Sequence, residues 1–117
     1  MLPSTGVRDI TSLVRVEVVS GRMLLARFGS MVTLVASEIQ LVTSVSSQIV
    51  SLPSGFRPIT RLNDEWTNRG ATRGYVDVYT SGSVWAGVAD SSTKYSRLLT
   101  YPTNDQWPSS LPGEPGT

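Results

Sequence analysis

A chain of 117 residues with ten basic and nine acidic side chains, no cysteine and no histidine has the size of one domain, carries no covalent staple and is close to neutral. The missing residue types exclude a disulfide framework, Cys- or His-ligated zinc, a thiol nucleophile and the Ser-His-Asp scheme. The arginines are scattered and the formal net charge is only +1, so there is no basic track for a phosphate backbone and nucleic-acid binding is not expected.

Valine, serine and threonine dominate while alanine, glutamate and lysine are scarce, which favours pleated strands over helices. The expected class is therefore all-β: an antiparallel β-sandwich, jelly-roll-like, or a barrel, with extended N- and C-terminal arms. The opening segment Met1-Leu2-Pro3-Ser4-Thr5-Gly6 has neither a basic n-region nor an apolar h-region. No apolar run reaches the roughly 18 residues that a membrane helix needs, so neither a signal peptide nor membrane insertion is expected.

Residues 1–5 read as an N-terminal arm, 6–101 as the β-domain and 102–117 as a Pro-rich C-terminal arm. Val14, Val16 and Val18 alternate with Arg15 and Glu17, the period of a strand with one buried face. A three-residue loop Val19-Ser20-Gly21 with Gly21 left-handed would set Val18 opposite Arg22, Val16 opposite Leu24 and Val14 opposite Ala26. Arg27-Phe28-Gly29 repeats the device, placing Leu24 opposite Val32 and leading into Met31 to Leu41. There the apolar parity moves from Val32 and Leu34 to Ile39 and Leu41, which predicts a bulge or a short break near Ala36 and two shorter strands.

After Gln48 to Ser51 comes Leu52-Pro53-Ser54-Gly55-Phe56-Arg57-Pro58, a structural turn by composition. Pro53 fixes φ, Gly55 permits positive φ, Pro58 holds Arg57 extended, and Leu52 and Phe56 can pin the turn to a core. Arg57 is placed to anchor a carboxylate or phosphate. Ile59 to Thr67, with Trp66, reads as a strand running into the polar loop Asn68-Arg69-Gly70. The best-defined hairpin turns at Thr80-Ser81-Gly82, pairing Val78 with Val84, Val76 with Ala86 and Asp77 with Trp85, with Tyr75 and Tyr79 diagonal to Trp85. A last strand spans about Tyr95 to Tyr101, and Trp107 reads as the packed anchor of the tail.

The chemistry available is narrow. Ser91-Ser92-Thr93-Lys94 matches S-x-x-K, but that scheme needs one helical turn between Ser and Lys and companion motifs that are missing. Asp64 and Glu65 are neighbours that a strand points to opposite faces, so they do not form a glycosidase pair. Asp77 and Asp90 would need tertiary structure to converge. No catalytic residue, metal or cofactor is expected. The constellation with functional shape is Tyr75, Asp77, Tyr79 and Trp85, a face that serves either as a packing or subunit contact or as an aromatic platform for sugar rings.

Taken together, Gly6-Val7-Arg8-Asp9-Ile10-Thr11, Arg27-Phe28-Gly29 before Val32-Thr33-Leu34, Leu52 to Pro58, Tyr101-Pro102-Thr103, Trp107-Pro108 and Leu111-Pro112-Gly113 form a pattern. It resembles the C-terminal β-domain of minor tail and fibre-like virion proteins of tailed bacteriophages of actinobacteria. The resemblance covers about residues 6 to 113 and carries over no catalytic residue.

It implies a non-enzymatic structural protein on the virion surface, assembled in a bacterial cytoplasm, usually a homotrimer, meeting other virion proteins of capsid or tail through its terminal arms and displaying a face toward host surface glycans. Fibre-type proteins carry such a domain behind a long attachment region, whereas here Met1 stands a few residues before it. That departure adds a small capsid decoration protein as a second placement. The alternative from another class is a free carbohydrate-binding module using the aromatic face.

Overall fold

The computed structural model describes residues 2–68 and 72–116. Among these described residues nine strands form the body: β1 (Arg8–Asp9), β2 (Val18–Phe28), β3 (Met31–Leu41), β4 (Ser47–Ser51), β5 (Leu62–Thr67), β6 (Arg73–Val78), β7 (Ser83–Val88), β8 (Tyr95–Pro102) and β9 (Glu114–Pro115). A 3-10 turn, Thr11–Leu13, lies between β1 and β2. The strands pair antiparallel in the order β4-β7-β6-β5-β8-β3-β2-β1-β9, and the sheet curls into a half-barrel. The all-β antiparallel expectation therefore holds.

The curl has a local cause. Strands β5 and β8 meet at the pair Thr67↔Ser96. The two halves of the sheet are thus free to fold toward each other and share one core. Ile10, Met23, Leu25, Val32, Leu34, Ile39 and Leu41 come from one half, and Ile49, Val50, Trp66, Val76, Val78 and Val84 from the other. Trp66 stacks on Tyr95 with ring centroids 5.9 Å apart, and its indole Nε1 donates to the Gly87 carbonyl at 3.0 Å. The far edge is drawn in by Arg15, whose backbone N–H donates to the Ile49 carbonyl of β4 at 2.8 Å.

Register departs from the sequence reading in the first third of the chain. No hairpin forms at Val19-Ser20-Gly21, where β2 runs straight through and pairs with β3 from Val18↔Leu41 to Phe28↔Met31. Gly21 does take positive φ, 111°, but as one side of a bulge whose other side is Glu38 at φ 56°. The valine alternation that suggested an earlier strand forms none: Val14 and Val18 pack against the core, but Val16 is 88% exposed, in a turn closed by the Val18 N–H on the Arg15 carbonyl. Burying Met23 and Leu25 opposite Ala36 and Leu34 outweighs a local turn preference, because a one-residue slip would move that whole apolar set to solvent.

The second hairpin does form, but it turns at Gly29-Ser30 and sets Leu24 opposite Val35, not Val32. The parity change in β3 is a real bulge, seen as a register shift between Ala36 and Ile39 against β8, yet the strand continues across it as one element. Ile59 and Thr60 lie in a bend before β5, so that strand starts at Leu62. The Thr80-Ser81-Gly82 hairpin has the expected register throughout, with Gly82 at φ 93°. Of the polar loop expected at Asn68-Arg69-Gly70, the latter two residues lie outside the described residues.

Both terminal segments lie on the chain's own body. The N-terminal one is held by the Thr5 N–H on the Arg27 carbonyl at 2.9 Å and the Gly29 N–H on the Pro3 carbonyl at 2.8 Å. The C-terminal one leaves β8, crosses the Leu52–Pro58 turn and ends as β9 on β1.

Candidate functional site

The period-2 pattern of β6 and β7 sends Val76, Val78, Val84 and Ala86 into the core, and so turns Tyr75, Asp77 and Trp85 outward. Strand β5 extends this face, with Asn63 opposite Asp77 and Glu65 opposite Tyr75. Tyr75 is 41% exposed and Trp85 36%. The residue opposite Tyr75 is Gly87, and the tyrosine ring occupies the space where a side chain there would start. The Tyr75 side chain therefore reaches across to the Gly87 position and remains partly open to solvent. A shallow depression beside it is lined by Asn63, Asp64, Glu65, Tyr75 and Asp77.

Asp77 is the fixed point of this face. It is only 9% exposed, accepts from Asn63 Nδ2 at 2.7 Å on one oxygen and from Arg61 Nη2 at 3.3 Å on the other. Two hydrogen bonds leave carboxylate lone pairs on the open side. The same Arg61 guanidinium sits 4.5 Å above the Tyr79 ring. Tyr79 thus presents a covered face and serves to hold Arg61, which separates it from the platform of Tyr75 and Trp85. Asp64 and Glu65 are also matched with arginines, Arg97 at 2.9 Å and Arg73 at 3.9 Å, so the surface is balanced in charge. Asp90 stays apart from Asp77. It accepts from the Ser92 side chain and backbone, which hold its carboxyl below the ordinary 3.8, in the turn that also contains the S-x-x-K residues.

The Leu52–Pro58 turn is structural, and each of its restricted residues has a partner. Leu52, Phe56 and Pro58 are buried, the Phe56 N–H closes the turn on the Pro53 carbonyl, and Gly55 has φ 107° against Pro108. Asp105 of the C-terminal arm accepts from the Gly55 and Arg57 N–H groups at 2.8 and 3.0 Å through one carboxylate oxygen. It is thus the backbone of Arg57 that meets a carboxylate, while its side chain reaches back to the Leu52 carbonyl.

Below this turn lies Arg27, 7% exposed, donating to the carbonyls of Gly29, Gly55, Asp105 and Gln106, with the Trp107 ring 5.0 Å away. Tyr101 completes the junction by donating to the Phe56 carbonyl at 2.7 Å. Burial, with the Asp105 carboxylate nearby, pushes its phenol well above the ordinary 10.0. A second junction joins Arg8 to the Pro112 and Gly113 carbonyls and packs Gly113 on the Asp9 backbone. Hydrogen bonds from Thr11, then Arg22, hold the Asp9 carboxyl below its ordinary value there.

The roles of Asn63, Arg61, Arg27 and Asp105 escaped the sequence reading. For Arg27 a signal existed: it shares parity with Met23 and Leu25, an inward position for a charged residue. Asp105, in an arm without periodicity, offered none. No protein-family model matches the chain, and no curated protein does.

Proposed function

We propose that this chain is a non-enzymatic structural domain of the exterior of a bacteriophage virion, either of the fibre or minor-tail type or a small capsid decoration protein. The observation that carries the reading is the convergence of the segments on which the resemblance rests. Arg27-Phe28-Gly29, Leu52 to Pro58, Tyr101-Pro102-Thr103 and Trp107-Pro108 meet in the junction around Arg27. Gly6 to Thr11 and Leu111-Pro112-Gly113 meet in the junction around Arg8. The segments of the pattern lie together at the two junctions that seat the C-terminal arm, which supports reading them as one pattern.

Two further features support it. The solvent side of β2, β3 and β8 exposes Phe28, Met31 and Leu98, apolar surface suited to a homotrimer. Leu2 and Leu111 stay exposed on the two seated arms, where capsid or tail proteins would meet them.

Immunogold labelling of particles that contain this chain tests the proposal. Gold at tail tips supports the fibre or minor-tail form and gold over heads the decoration form. Particles left unlabelled by an antibody that recognises the purified chain would overturn both.

A further inference from the structure

We propose that the outward face of β5, β6 and β7 is a binding platform for a neutral oligosaccharide, with Tyr75 and Trp85 stacking against two pyranose rings and Asp77, Asn63 and Glu65 hydrogen-bonding their hydroxyls. This site does not depend on the virion reading, since it would serve a free carbohydrate-binding module equally well.

The geometry follows from the strand register. Tyr75 is directly opposite Gly87 and Asp77 directly opposite Trp85, so Tyr75 and Trp85 are diagonal across one strand pair. Diagonal neighbours sit about 7–8 Å apart at the backbone, within reach of rings on consecutive sugar units. Gly87 is what lets the Tyr75 ring extend over β7, because any side chain at that position would take the space the ring fills. Tyr75 and Trp85 both stay partly exposed there, aromatic surface of the kind that the C–H face of a pyranose matches.

The polar edge is also prepared. Asp77 is held on one side by Asn63 and on the other by Arg61, which is itself fixed over Tyr79. The carboxylate needs no reorganisation to accept a hydroxyl, and a pre-ordered acceptor loses less on binding than a mobile one. Charge selects the ligand class. Each of Asp64, Glu65 and Asp77 has an arginine partner, so the depression attracts neither an anionic nor a cationic sugar strongly, and a neutral polyol fits it best. The shallow form suits a chain lying along the sheet.

The experiment is a printed panel of neutral, sialylated and uronic-acid oligosaccharides probed with the purified chain, followed by calorimetric titration of the strongest soluble hit. Neutral oligosaccharides should be retained in preference to acidic ones. Trp85→Ala and Tyr75→Ala should each weaken binding about tenfold or more, the loss of one stacked contact, with melting temperature and oligomeric state unchanged. Should Tyr75→Ala perturb folding, Gly87→Ala displaces the same ring without shortening it and is expected to weaken binding likewise. No retention of any neutral oligosaccharide overturns the site, as does binding that survives both Trp85→Ala and Gly87→Ala. Dissociation of an oligomer by Trp85→Ala would also overturn it, identifying the face as a subunit contact. None of these results bears on where gold labels a particle, so the two proposals fail separately.

Discussion

Tyr101 carries its proton into the core, and the consequence is a stability that depends on alkaline pH. Its phenol donates to the Phe56 carbonyl at 2.7 Å, and burial raises it above the 10.0 of an exposed tyrosine. The unfolded chain therefore ionises first: the contribution is fully present below pH 10 and is lost as pH rises from there toward the folded value. The decline should approach about 1.4 kcal/mol per pH unit once the unfolded phenol is ionised. Denaturant unfolding measured across about pH 9 to about 12 should show a steeper loss for the native chain than for Tyr101→Phe. At neutral pH the variant should lose about 1 kcal/mol, because the Phe56 carbonyl is left without its donor. Equal pH profiles would mean that the phenol is not held protonated. On the acid side Asp9 and Asp90 are lowered, so their contribution is present above 3.8 and fades as pH falls below it, and both lie too near the surface for a large effect. Tyr101 was legible as a strand residue, but its partner was not, since the carbonyl it meets lies 45 residues away.

Among the elements, the same dipeptide behaves in two ways. Ser81-Gly82 closes a hairpin, whereas Ser20-Gly21 lies inside β2 as a bulge, and both glycines have positive φ. The glycine requirement was readable in each case. The difference lies in the flanks: Val76 and Val78 find Ala86 and Val84 across a short loop, while β2 beyond Gly21 finds its inward partners on β3. A side chain at Gly21 would begin 2.6 Å from the Glu38 carbonyl and 2.8 Å from the Ile39 Cα, whereas one at Gly6, at φ 67°, meets nothing within 4 Å. Both substitutions carry backbone strain of about 1–2 kcal/mol, but Gly21→Ala must also push β2 away from β3 and should cost about 2–4 kcal/mol in all. Thermal melts of Gly21→Ala and Gly6→Ala compare them directly. Equal losses would show that β2 and β3 do not close on each other at the bulge.

For the molecule as a whole, the C-terminal arm belongs to the fold and is not an appendage. Arg27 lies under it and donates to four carbonyls drawn from the β2–β3 turn, the Leu52–Pro58 turn and the arm. Replacing it by methionine keeps the apolar stem and removes every donor, which strips the buried Gly55 carbonyl and three part-buried ones of the guanidinium. Arg27→Met should cost about 3 kcal/mol and raise amide exchange in residues 53–58 and 103–108 ahead of the β-sheet. Uniformly changed exchange, or none, would show that the arm is seated by Asp105, Trp107 and Pro108 without Arg27.

From residue order alone came the all-β antiparallel class, the Thr80–Gly82 register, positive φ at Gly21, Gly29, Gly55 and Gly82, and the lack of cysteine and histidine side chains. These follow from side-chain alternation and turn stereochemistry, which act over two to four neighbouring residues. Tertiary structure decided the β2–β3 register, the burial of Arg27, the seating of the arm by Asp105 and the division of the aromatic face into an open Tyr75–Trp85 platform and a covered Tyr79. Each depends on which distant segment supplies the buried partner, and that is settled by burial and hydrogen-bond satisfaction across the whole chain, where no local pattern reaches.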